Sequence, residues 1–222
     1  MEEDAADPEV ALAIAYAPAP KRAALAAMWR LDARLAAIVR ATTEPLLGQM
    51  RLVWWRDALR DLAAKPVSGE PLLVQLAALD SAGIVTTAQL ACVADGWVEL
   101  LEPMPLDRDA LNRYASARGG GIFDAASQAL GADAPDWLLA SGEGWALADF
   151  GLHCSDPETA RRALALADEK LTAIGNVRVP RQLRPLGMLA HLAARDVATR
   201  GPRRQGSPAR MWRMLRHRLT GR

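Results

Sequence analysis

Prolines divide this chain into pieces that are each about the length of a helix. Pro18 and Pro20, Pro45, Pro66, Pro71, Pro103 and Pro105, Pro135, Pro157, Pro180 and Pro208 stand at or near the joints. Proline lacks the N–H that a helix interior needs but fits a helix's first turn, so such a row punctuates helices instead of breaking them. Between the prolines, apolar residues recur at helical spacing. Leu25, Met28, Trp29, Leu35, Ile38 and Val39 predict a helix over 22–40. Thr43-Glu44-Pro45 opens a second one, with Leu47, Met50, Trp54 and Ala58 as its buried stripe and Pro66 with Ser68-Gly69 as its end. Further helices are predicted over 71–80, 87–101, 108–118, 122–131, 135–152, 157–174, 182–199 and 208–220. No repeat of fixed period occurs, and no apolar–polar alternation is long enough to build a sheet.

Composition agrees. Ala and Leu dominate while Val, Ile and aromatic residues are sparse, which favours helices because Ala and Leu lose little side-chain freedom there. The chain has 222 residues, 51% of them hydrophobic and 24% charged, enough for one compact core. The expected architecture is all-α, a single-domain helical bundle.

The formal net charge of +1 hides an asymmetry: Arg200 to Arg222 holds eight arginines and no acid, which leaves −7 on the rest. The linker-like TRGPRRQGSP, 199–208, separates a helical domain, 1–199, from a basic linker and amphipathic C-terminal helix, 200–222. In SPARMWRMLRHRLTGR, residues Met211, Trp212, Met214, Leu215 and Leu219 share one arc of the helical wheel. Arg210, Arg213, Arg216 and His217 share the other, and Arg218 intrudes on the apolar side. Such a helix can lie on an anionic membrane surface, with Arg210, Trp212, Arg213 and Arg216 as contacts, or dock its apolar face on the body. Nucleic acid is not an expected partner, because the acidic body repels phosphates.

No apolar run approaches the roughly 20 residues of a membrane span, and the start, MEEDAADPEV, is acidic where a secretory signal is basic. A cytoplasmic protein is expected, peripheral at the inner membrane if the tail binds lipid. Cys92 and Cys154 lie far apart and read as buried thiols. His153, His191 and His217 are scattered and predict no metal site.

Three stretches could carry chemistry. Asp57 and Asp61 are one helical turn apart and could share Mg²⁺, with Arg51, Arg56 and Arg60 near for phosphate oxygens; they could equally form a solvated, ion-paired face. Trp54 and Trp55 point about 100° apart on a helix, so one can fill the core while the other lines an interface or a pocket. ARGGG, 117–121, opens a predicted helix, where free amides could hold an anion; close helix contact or a kink explains it as well.

AYAPAPKRAALAAMWRLDARLAAI followed by EPLLGQMRLVWWRDAL resembles the opening of squalene/phytoene synthase family proteins, closest to a bacterial and mitochondrial branch with an E-P-x-x-G-x-x-R-L-x-W-W helix. The match falls on Glu44, Pro45, Gly48, Arg51, Leu52, Trp54 and Trp55. YASARGGGIFDAASQALG is similar to the family's Tyr and Gly-rich helix, so Tyr114, Gly119, Gly120 and Gly121 join Arg51, Trp54 and Trp55 as expected cavity residues. RPLGMLAHLAARD and GSPARMWRMLRHRLTG also look like members of this branch.

The resemblance implies an isoprenoid-synthase fold around a central apolar cavity. It also implies head-to-head joining of farnesyl or geranylgeranyl diphosphate by Mg²⁺ held between two aspartate-rich helices. This chain departs from that pattern. MWRLDARLAAIVR carries Asp32 as its only acid, with Arg34 near an expected aspartate, and GWALADFGLHCSDPETARR offers Asp149, Asp156 and Glu158 out of register. The expectation is a degenerate member that binds an isoprenoid or lipid, or that acts on a protein partner as an assembly factor, the role the resembling mitochondrial branch has for respiratory complex I. The alternative is a Mg²⁺-dependent prenyltransferase using Asp57 and Asp61, or Asp149 and Asp156.

Overall fold

The computed structural model describes residues 7–64, 69–175, 177–199 and 205–222. Among them there are helices and turns and no strand, as the proline punctuation predicts. The α-helices are α1 (Pro8–Ala15), α2 (Arg22–Ala41), α3 (Pro45–Asp61), α4 (Pro71–Ser81), α5 (Thr87–Glu99), α6 (Arg108–Tyr114), α7 (Gly121–Ala129), α8 (Asp136–His153), α9 (Pro157–Leu171), α10 (Arg184–Thr199) and α11 (Pro208–Thr220). The predicted stop of α3 at Pro66 and Ser68, and residues 200–204 of the predicted linker, lie outside the described residues.

Helix α8 is central, packed on α9, α10 and the segment between α6 and α7, while α2 lies against α1, α4, α5 and α7. The apolar stripe read on α2 is largely right: Leu25, Met28, Trp29 and Leu35 are buried, and Ile38 and Val39 half-buried.

Three local readings are corrected. The stripe on α3 is shifted by one position: Gly48, Leu52, Trp55 and Leu59 face the core, while Leu47, Met50 and Trp54 are exposed. Both phases have apolar residues at helical spacing, so periodicity could not separate them; packing against α5 selects the face that carries Gly48 and Leu52. The two helices expected at 108–118 and 122–131 are one continuous run, joined by a π-helical turn at Ala115–Gly120. The glycines therefore lie inside a helical run and present no free N-terminal amides. They allow close contact: a Cβ on Gly119 would stand 2.1 Å from the backbone oxygen of Gly142 on α8. The third correction is α1, which the sequence reading left unassigned. Eight residues are too few to hold a helix alone, and its inward residues are Glu9 and Ala13 instead of an apolar stripe. Asp7 caps it by accepting from the Glu9 N–H at 2.8 Å, and packing on α2 and α10 does the rest.

Glu9 explains α11 too. Arg210 is buried and donates to both Glu9 and Asp196, including 2.9 Å from Nη2 to Glu9 Oε2 and 2.8 Å from Nη2 to Asp196 Oδ2. This clamp joins α1, α10 and α11. The inward face of α11 is thus Arg210, Met214 and His217, and the wheel is turned from the one hydropathy drew: Trp212 and Leu219 point outward. Arg210 is an internal ion-pair partner and is not on the outer face with Trp212, Arg213 and Arg216.

Candidate functional site

A cavity of about 880 Å³ opens between α1, α2, α5, the π-helical turn and α8. Its walls are mostly apolar: Val10 and Ile14 from α1, the small residues Ala26, Ala33, Ala36 and Ala37 from α2, and the indoles of Trp29, Trp97 and Trp145. The alanines matter because short side chains along one face of α2 leave space that leucines would fill. A volume of this size suits a ligand of several hundred daltons.

Exposed Arg30, Arg34 and Arg40, with Asp7 and Glu70, add charge to the wall, and one buried polar cluster stands in it. Arg118 comes from the π-helical turn, where the extra residue re-aims a side chain that a plain α-helix would place elsewhere. Its guanidinium is 4.4 Å from the ring centre of Trp97 and 4.8 Å from that of Trp145, so it lies in a cation–π sandwich. In its plane it donates from Nε to Asp32 Oδ1 at 2.9 Å and from Nη2 to Asp32 Oδ2 at 2.8 Å, a bidentate pair. Nη2 also donates to Asp149 Oδ2 at 2.9 Å, and Nη1 to the Tyr114 hydroxyl at 2.5 Å. Trp97 adds a bond from Nε1 to Asp32 Oδ1 at 2.9 Å.

The charges are set by these contacts. Burial disfavours the Arg118 cation, but Asp32, Tyr114 and Asp149 outweigh that cost and hold its pKa well above the ordinary value. Burial also pushes the Tyr114 phenol upward, so it stays protonated; its hydroxyl is 3.4 Å from the backbone oxygen of Ala146.

The predicted site residues are distributed differently. Tyr114 belongs to the Arg118 cluster, and Gly119 and Gly121 are packing contacts beside it, on Gly142 and Cys92 respectively. Gly120 has no neighbour nearer than 3.7 Å to an added Cβ. Arg51, Trp54 and Trp55 line a separate groove of about 630 Å³ between α2 and α3, which meets the main cavity at Arg34, Ala37 and Glu70. Asp57 and Asp61 line neither space. Asp57 is exposed and accepts from Arg56 Nε at 2.9 Å, while Arg56 and Arg60 both reach Asp95 on α5. Asp156 caps α9, accepting from the Thr159 N–H at 2.7 Å, and Glu158 pairs with Arg162.

Asp32 was legible as the only acid of its helix and Asp149 as one of several acids out of register, while Trp29 was read only as core and Arg118, Trp97 and Trp145 were not singled out. The available signal was the Arg that precedes the glycine run.

Mg²⁺ is the metal such a fold implies. A hard cation needs several carboxylate or carbonyl oxygens with free lone pairs. Asp32 and Asp149, the acids on the two helices facing across the cavity, are both engaged by one guanidinium. No group of three or more His, Cys, Asp or Glu among the described residues is placed to hold a metal. The residues present do not fit the ion.

An all-α protein with a largely apolar cavity, into whose wall α2 sends Asp32 and α8 sends Asp149, is the class that fold and site define. The squalene/phytoene synthase family model matches residues 4–152, and the chain belongs to that family. Neither a curated protein nor a solved structure matches the chain. No helix among the described residues is long and apolar enough to cross a membrane.

Proposed function

We propose that this protein is a non-catalytic member of its family that holds a neutral isoprenoid or similar lipid in the cavity between α1, α2, α5 and α8. The observation that carries the reading is Arg118, set between Asp32 and Asp149. Prenyl transfer from a diphosphate needs concentrated positive charge where the leaving group departs. Here the two acids that face each other across the cavity are neutralised by a residue of the chain itself, buried and stacked between two indoles. Apart from the exposed Arg30, Arg34 and Arg40 and the half-buried Asp7 and Glu70, what the cavity offers a ligand is alanine, branched apolar and tryptophan surface, which suits a hydrocarbon chain. In this reading the protein works in the cytoplasm, where a cavity lipid can exchange with a membrane surface.

The test pairs a reaction with a binding assay. Farnesyl or geranylgeranyl diphosphate with Mg²⁺ should yield no diphosphate release, while squalene or farnesol should raise the melting temperature. Release that disappears in Asp32→Asn or Asp149→Asn would overturn the reading in favour of a head-to-head prenyltransferase.

A second reading, an assembly or interaction factor, is favoured by α3. Leu46, Leu47, Met50 and Trp54 are all exposed on one side of that helix, an apolar patch of the kind monomers seldom leave uncovered. A protein partner on this face predicts that Met50→Ser with Trp54→Ser abolishes its copurification while the variant stays folded, with no more lost than the roughly 1 kcal/mol of the Trp54–Trp55 contact. Retained copurification would remove the idea.

A further inference from the structure

Away from the cavity, a second pocket of about 190 Å³ lies between α10 and α11. Its rim is made by the exposed side chains of Arg195, Arg213, Arg216 and Arg222, and its inner wall by His191, His217, Met188 and Met214. No acid lines it. Among the described residues none of the four rim arginines has a carboxylate partner, in contrast to Arg118 and Arg210, each of which is held by two.

The pocket is firmly built. Arg184 donates from Nη1 to the backbone oxygens of Arg218 and Leu219, at 2.8 and 3.1 Å, and so closes the C-terminal end of α11. Gly221, at φ 76°, turns the chain back, and its carbonyl accepts from the Val179 N–H at 3.0 Å, which fixes where Arg222 leaves the helix. The cations crowd one another: burial, then Arg181, Arg218 and Arg178, lower the pKa of Arg184.

The histidines supply an independent observation. Among the described residues, His217 is only 3% exposed and neither ring nitrogen makes a well-formed hydrogen bond, with only a weak polar contact to the Arg222 backbone, and His191 Nε2 is likewise buried and unpartnered. The two rings lie 4.3 Å apart. Buried polar atoms are rarely left unsatisfied, because each loses its hydration without a replacement. Beside them, Trp212 and Leu219 point outward on the same helix as Arg216, at spacings of four and three residues.

We propose that this pocket binds a phosphate-bearing anion through Arg195, Arg213, Arg216 and Arg222, and that the anion is the headgroup of an acidic phospholipid. Several guanidinium forks converging on a space of this size match phosphate oxygens. Trp212 and Leu219 give the same surface the apolar contacts that an interfacial helix inserts beside headgroups. The site is independent of the main cavity and of what the cavity holds.

The test uses the full chain and two probes. With phosphatidylcholine vesicles, cosedimentation should require added phosphatidylglycerol, and Arg213→Gln with Arg216→Gln should weaken it about thirty-fold, on the basis of two basic residues at an anionic surface. Inorganic phosphate should raise the melting temperature above that in chloride at matched ionic strength, and the same double variant should lose the rise. Both arginines are exposed and unpaired, so the variant should fold, and it should keep the wild-type response to squalene.

Arg178→Gln with Arg181→Gln, nearby cations that do not line the pocket, is the control for diffuse charge. Equal loss in that control, or no phosphate effect together with vesicle binding that ignores phosphatidylglycerol, would overturn the site. A phosphate effect without vesicle binding would uphold the anion site and overturn the lipid as its source.

Discussion

Trp97 and Arg118 converge on a single atom: the indole Nε1 and the guanidinium Nε both donate to Oδ1 of Asp32, each at 2.9 Å. The same indole also covers one face of the guanidinium at 4.4 Å. Asp32 is 5% exposed and Arg118 is 3% exposed, so the pair is removed from water and its energy depends on every partner being in place.

Removing both partners should therefore cost less than the two single losses added together. Arg118→Ala leaves Asp32 buried without its cation, and Asp32→Ala leaves Arg118 with the Asp149 carboxylate alone, so each should cost roughly 3–5 kcal/mol in chemical denaturation, Asp32→Ala at the lower end. Asp32→Leu with Arg118→Met should cost less than the two singles summed, with Asp149 still carrying part of the loss. Additive losses would show that the pair is not coupled.

The glycine run should respond position by position. Gly119→Ala puts a methyl group 2.1 Å from the Gly142 carbonyl oxygen, so α8 must move. A loss of several kcal/mol is expected, in the upper range of single substitutions. Gly120→Ala meets nothing closer than 3.7 Å and should be neutral or gain about 0.5–1 kcal/mol, because alanine restricts the unfolded chain. Melting curves of the two variants settle the contrast.

The adjacent tryptophans should behave oppositely. Trp55 is 3% exposed and Trp54 is 50% exposed, with their rings edge to face at 5.4 Å. Trp55→Ala should cost roughly 3–5 kcal/mol as a core truncation. Trp54→Ala should cost about 1 kcal/mol, the aromatic contact alone. Urea titrations of both measure this.

Acid should weaken the fold through the histidine pair. Burial, reinforced by His191 and Arg184, lowers the His217 pKa to about 3, against about 6.5 in an unfolded chain. Between those values the unfolded state binds the proton and the folded state does not. The contribution is thus fully present above about pH 6.5 and is lost as pH falls toward 3, at up to about 1.4 kcal/mol per pH unit. Burial lowers His191 in the same direction. His217→Asn should flatten the stability profile just below pH 6.5, where most carboxylates do not yet titrate; an unchanged slope would contradict the burial argument.

The sequence by itself determined the class of fold. Prolines at the joints and Ala- and Leu-rich segments between them are local signals, and local signals act through backbone geometry that no distant residue needs to supply. The motif spanning Glu44, Pro45, Gly48, Arg51 and the tryptophans was likewise legible, and the family it resembles is the one whose model matches residues 4–152. What only the tertiary structure decided is how those elements face each other. Both faces of α3 carry apolar residues, and α5 chose between them. α1 has no stripe and exists because Glu9 meets Arg210, 201 residues away in the chain. Arg118 is one arginine among many until a π-helical turn brings it between Asp32 and Asp149, separated from it by 86 and 31 residues. Charge pairing and close packing depend on distances across the fold, and spacing along the chain carries no measure of them.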